Sequence, residues 1–100
     1  MSEAGVSMAE PGVLRLAGVL DYRSGPALRK QGKALIAACG EAQLVLDCSA
    51  VQRSTSVGLS LLLAFMRDAQ AAGKGCQVRS MPDDMREIAE VYDLDEVLAT

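Results

Sequence analysis

The chain has 100 residues, half of them apolar and 23% charged, and carries a net charge of −3. That length suits one domain, residues 1–100, able to bury a core without staples. The acidic balance, the lack of Trp and the single Phe argue against nucleic acid or an anionic membrane surface as a direct partner. The opening MSEAGVSMAEPG has neither the basic nor the apolar region of a secretory leader. The longest apolar run, LLLAFM, falls far short of the ~20 residues that span a bilayer. A cytoplasmic protein with no direct membrane insertion is expected.

In chain order, apolar runs broken at AEPG read as an opening pair of strands, at about residues 5–9 and 13–17, with Pro11-Gly12 as the turn. Ser24 stands where an N-cap would be, Pro26 suits a first helical turn, and Leu28, Leu35 and Ile36 share one face. These features predict a helix over 25–38, with Gly40 as its C-cap. Leu44, Val45 and Leu46 form an unalternated run, suited to a strand covered on both faces or central in a sheet. SVGLSLLLAFMRDAQAAG predicts a helix over 56–72, stopped at Gly73. A short strand follows at 76–80. Pro82 and Asp83 open an acidic-headed helix, and DEVLAT reads as a terminal helical turn. The order β-β-α-β-α-β-α-α predicts an α/β domain, a mixed four- or five-stranded sheet with about four flanking helices.

The inventory for chemistry is short. There is no histidine, and Cys39, Cys48 and Cys76 are odd in number and widely spaced, so a zinc site or disulfide framework is not expected. Neither a GxxxxGK[ST] nor a GxGxxG phosphate loop occurs, and G-x-S-x-G is absent. A serine nucleophile would lack the usual histidine base. The carboxylates at Asp83-Asp84 and Asp93-Asp95 fit solvated helix termini. No catalytic residue, cofactor or metal is expected.

The unexplained feature is Ser54-Thr55-Ser56 at the head of the most apolar helix. One of them can N-cap it. A hydroxyl there is also where free N–H groups would stabilise a phosphate. On a helical wheel Leu59, Leu62, Leu63 and Met66 form the expected core face, while Val57, Leu61 and Ala64 fall almost opposite. Either the domain covers that second stripe itself, or the stripe docks another protein, rimmed by the hydroxyls and Arg53.

These residues carry a family resemblance. In LVLDCSAVQRSTSVGLSLLLAFM, Asp47 and Ser49 match D-x-S, and Ser56, Val57, Gly58 and Leu59 match [ST]-x-G-L. With LAGVLD upstream and MREIAEVYDLDEVL downstream, residues 12–98 resemble a STAS domain, the fold of anti-sigma-factor antagonists. The chain is most similar to the small stand-alone STAS subunits of Mla (toluene-tolerance) phospholipid transporters. That resemblance implies a non-catalytic subunit that binds the ATPase of an ABC complex, alongside permease and lipid-binding subunits. It would be cytoplasmic and peripheral to the inner membrane through that complex, which maintains outer-membrane lipid asymmetry. The implied ATPase-binding surface comprises Ser54, Thr55, Ser56, Val57 and Leu61, with Arg53 and the Asp21-Tyr22-Arg23 loop. The alternative is an anti-sigma-factor antagonist switched by phosphorylation of Ser56, the position of the family's functional hydroxyl. Thr55 stands where the family usually carries Asp, which counts against the switch and leaves docking untouched.

Overall fold

The computed structural model describes residues 4–94 and 97–98. Strands β1 (Gly5–Glu10) and β2 (Val13–Leu20) form an antiparallel hairpin closed by Pro11-Gly12. Helix α1 (Gly25–Ala38), strand β3 (Gln43–Ser54), helix α2 (Ser56–Ala71), strand β4 (Gly75–Arg79) and helix α3 (Asp83–Val91) follow. The sheet order is β1-β2-β3-β4, with β3 parallel to both β2 and β4. The α/β architecture thus has four strands and three helices among the described residues. The expected helical turn in DEVLAT falls partly outside them. Within it, Leu98 N donates to Leu94 O at 2.9 Å.

Strand order explains the layering. From β2 to β4 each parallel crossover steps the same way across the sheet, and such crossovers are overwhelmingly right-handed. Two steps in one direction put α1 and α2 on the same face. The core lies between this helical layer and the sheet: Leu14, Leu16, Leu20, Leu44, Leu46 and Val78 from strands meet Leu28, Ile36, Leu62, Phe65 and Met85 from helices. Val13, Ala17, Val19, Val45 and Ala50 stand apart from that cluster, on the other face of the sheet. Consecutive Leu44-Val45-Leu46 therefore marks a central strand covered on one face only. The molecule is a slab of 32 × 32 × 20 Å.

Several local expectations change. Ser24 holds the expected N-cap position, its carbonyl accepting from Leu28 N at 3.1 Å, but it has helical torsions and makes no side-chain capping bond. Its hydroxyl donates to Val19 O at 2.9 Å and accepts from Asp21 N at 3.1 Å. The start of α1 is held instead by Asp21, whose Oδ1 accepts from the N–H groups of Arg23 (2.9 Å) and Ser24 (3.3 Å). Gly40 is not a left-handed C-cap, because Cys39 turns the chain in an extended conformation. Lys74 Nζ serves that helix end, donating to Cys39 O and Glu41 O at 2.7 Å each. Gly73 does stop α2, with φ of 74°.

The wheel of α2 also rotates. Leu59 and Leu62 are buried as expected, but Leu63 and Met66 are only half-buried, while Leu61, Ala64, Phe65 and Ala69 are buried. The reason is α1. Its glycines, seven residues apart, let α2 approach closely: a Cβ on Gly25 would lie 2.8 Å from Val57 Cγ1, and one on Gly32 would strike the Phe65 ring. The helix is packed on two sides, against the sheet and against α1.

Candidate functional site

Parallel pairing of β2 with β3 delivers both implied loops to the same edge of the sheet, the carboxyl ends of the strands. Leu20 pairs with Ser54 there. Thr55 fastens them: its N–H donates to Leu20 O at 3.0 Å and its hydroxyl reaches the same oxygen at 3.3 Å. Thr55 is also the residue that caps α2, its Oγ1 accepting from Val57 N at 3.2 Å. A carboxylate is not needed for that task, which accounts structurally for Thr at this position.

The three hydroxyls part ways. Ser54, expected at the surface, is 7% exposed. Its Oγ donates to Thr55 O at 2.8 Å, its N–H faces the Asp84 carboxylate at 3.4 Å, and α3 closes over it. Gly58 shares this crevice, since a Cβ there would collide with Ser54 Oγ and lie 2.9 Å from Met85 Cε. The glycine of the [ST]-x-G-L motif thus makes room for a buried serine and a helix behind it. Thr55 and Ser56 remain exposed, and Ser56 is the first residue of α2.

Leu61 is likewise corrected: at 4% exposure it is the floor of the site rather than its face. Above it runs an apolar groove between α1 and α2, lined by Tyr22, Gly25, Pro26, Val57, Leu61 and Ala64, with Arg29 and Ser60 beside them. Tyr22 stands 76% exposed at its mouth. Arg23 stacks over the Tyr22 ring at 5.9 Å and donates to Asp21 Oδ2 at 3.0 Å. This bond, with the Arg23 and Ser24 N–H groups, holds the Asp21 carboxyl below its usual range despite some desolvation. Arg29 binds Asp68 through both guanidinium nitrogens (2.5 and 3.1 Å), tying α1 to α2 under the groove.

Two more enclosed depressions flank it. Asp21, Arg23, Arg53, Ser54 and Thr55 line one, with Val19 and Gln52. Ser56 lines the other with Leu59, Ser60, Leu63, Tyr92 and Leu94. All the implied residues therefore gather at one edge, although Ser54 and Leu61 lie beneath the surface. Pro26, Arg29, Ser60 and Tyr92 were not among the residues expected at this surface. Pro26 and Arg29 sit on the α1 face that includes Gly25, a signal visible only once α1 is placed against α2. Among the described residues no group of three or more Cys, Asp or Glu could hold a metal ion. Nor is any helix there long and apolar enough to cross a membrane.

Comparison with known proteins agrees with this architecture. The family model described as "Mlab, STAS domain" matches residues 6–99. The chain belongs to the MlaB STAS-domain family. An anti-sigma factor antagonist from Mycobacterium paratuberculosis superposes with a TM-score of 0.77 and 27% identity, over 99% of this chain and 84% of that one. Unphosphorylated SpoIIAA, also an anti-sigma factor antagonist, gives a TM-score of 0.72 at 19% identity, over 94% and 84%. The phosphorylated Bacillus SpoIIAA gives 0.65 at 20%, over 94% and 86%. The SpoIIAA likenesses establish a shared fold, and the family match extends the relationship along nearly the whole chain.

Proposed function

We propose that this STAS domain is a non-catalytic, cytoplasmic subunit that docks on the ATPase of an ABC-type phospholipid transporter of the Mla kind. The observation that carries this reading is the apolar groove between α1 and α2, with Tyr22 at its mouth, in a chain whose family description is Mlab. A groove with a rigid apolar floor and an aromatic at its rim suits a partner side chain inserted between two helices. Exposed Thr55, Ser56 and Arg53 form the polar margin at the helix head, while Leu61 supports the floor. In this reading the complex also contains permease and lipid-binding subunits and maintains outer-membrane lipid asymmetry. It is what holds the domain at the inner membrane.

The test is co-purification with the cognate ATPase subunit. Ser56→Arg and Tyr22→Asp are both at exposed positions, so the fold should survive, and each is expected to abolish capture. Gln31→Glu, an exposed change on the side of α1 almost opposite Pro26 and Arg29, should leave capture intact. Unimpaired capture by both groove-rim variants would exclude this surface. Leu61→Asp is uninformative here, because a buried charge would unfold the domain.

The likeness to the mycobacterial anti-sigma factor antagonist favours a second reading, a switch in which Ser56 is phosphorylated. Exposed Ser56 at the first turn of α2 has a helix N-terminus to stabilise the added charge. Intact-mass measurement after incubation with a co-encoded kinase and ATP separates the readings: unmodified Ser56 excludes the switch.

A further inference from the structure

The helix-free face of the sheet carries a second organised surface, separate from the α1–α2 groove. Arg15, Asp47 and Arg79 are direct register partners across β2, β3 and β4, so they form one rung. Asp47 is 2% exposed, and its Oδ2 meets Arg15 Nε at 3.3 Å and Arg79 Nη2 at 3.4 Å. The arginine side chains are 46% and 52% exposed. Asp47 Oδ1 accepts from Ser49 N at 3.0 Å, which fixes the carboxylate. One buried anion therefore sets the spacing of two cations that still have N–H donors to offer. Further along the same ladder, Arg53 pairs in register with Val19. Between the arginines lie the small apolar residues Ala17, Val19 and Ala50.

Three arginines outnumber the two carboxylates of this face, Asp47 and Glu10, while Asp21 and Arg23 beside Arg53 offset each other, so the face is basic within a chain of net charge −3. Glu10, the register partner of Val13, stands at its hairpin end. Three cations are fewer than the clusters of about 4–8 that hold proteins to anionic lipid, and the patch offers no aromatic for lipid anchoring or base stacking. Guanidinium forks instead match carboxylates. We propose that this sheet face binds an acidic segment of a partner protein, with Arg15, Arg79 and Arg53 receiving its carboxylates.

The test titrates the 15N-labelled full chain with a hexaglutamate peptide and maps the amide shifts. Shifts are expected along Val13–Val19, Val45–Ala50 and Gln77–Arg79, fading as salt rises. Arg53→Glu, which touches no buried carboxylate, should weaken binding roughly fivefold or more. Arg15→Gln, Asp47→Asn and Arg79→Gln made together remove the rung as a set, leaving no unpaired buried charge, and should abolish binding. Lys30→Glu on α1 should bind as the native chain does. The proposal fails if shifts map to the groove or if Arg53→Glu and the triple variant bind normally. Equal weakening by Lys30→Glu would also sink it. A dimer in sedimentation that the triple variant loses would assign the face to a second copy, and capture by phosphatidylglycerol vesicles would assign it to membrane. Either result overturns the acidic-protein assignment. Ser56→Arg and Tyr22→Asp leave this measurement unchanged; Arg53 borders both surfaces, so the Arg15–Asp47–Arg79 triple variant, which should spare ATPase capture, is what separates this proposal from the docking reading.

Discussion

Asp47 is a buried charge whose partners stay half in water. Burial opposes its ionisation, but the Ser49 N–H and the two arginines outweigh that and hold its pKa below the ordinary carboxylate range. A carboxylate depressed in the folded state adds stability above its unfolded pKa of about 3.9 and loses it as pH falls through the folded value. Asp47→Asn should therefore cost about 1–2 kcal/mol at pH 7, less than the loss of one partner of a fully buried pair, because water screens the arginines. In urea titrations the gap between native and variant should close as the pH drops below about 4. A gap unchanged at pH 3 would show that the charge contributes nothing. Asp47 was legible only as part of a motif. Its role was not, because Arg15 and Arg79 lie 32 residues on either side, and only strand register brings them together.

Helix ends repeat a single device with different residues. In α2, Gly73 N donates to Gln70 O and Lys74 N to Ala69 O. In α3, Asp93 N donates to Glu90 O and Leu94 N to Ala89 O, the same closure. The left-handed position is Gly73 in one and Asp93, with φ of 61°, in the other. Asp93→Gly should raise stability by about 0.5–1 kcal/mol, since a Cβ is disfavoured there. Thermal unfolding would read this as a higher Tm, and an unchanged or lower Tm would refute it. The helices themselves were legible because Pro26, Gly73 and Pro82 punctuate strong apolar periodicity. The facing of α2 was not: burial of Phe65 depends on the missing side chain of Gly32, on another helix. A wheel drawn for one helix carries no information about such a partner. The same limit hid Ser54, whose burial depends on Gly58 and on α3 arriving 30 residues later.

At the scale of the molecule, the three thiols sit at graded depths. Cys39 and Cys76 are half-buried, whereas Cys48 is fully enclosed between sheet and helices. Burial pushes the Cys48 thiol up to about 12, helped by the neighbouring Asp47 charge, and pushes Cys76 up to about 11. At pH 8 Cys48 should therefore react with a thiol reagent only at the rate of global unfolding, well after Cys39. Mass spectrometry of timed samples would show the order, and early labelling of Cys48 would mean that the helical layer lifts from the sheet without global unfolding. The α/β order was readable from alternating strand and helix patterns. That all three helices share one side was not, since crossover direction depends on strand order, which a linear pattern does not contain.

Strand β4 is an edge of the sheet only five residues long. Ser80, with φ of 60°, turns the backbone out of line at its end, and Pro82 two residues later has no N–H to offer a neighbour. At the other edge, β1 breaks register between Met8 and Glu10. Neither border offers a long, straight row of backbone groups for another strand to copy. The slab is thereby guarded against growing sideways into aggregates, and recognition is left to the side chains of its two broad faces.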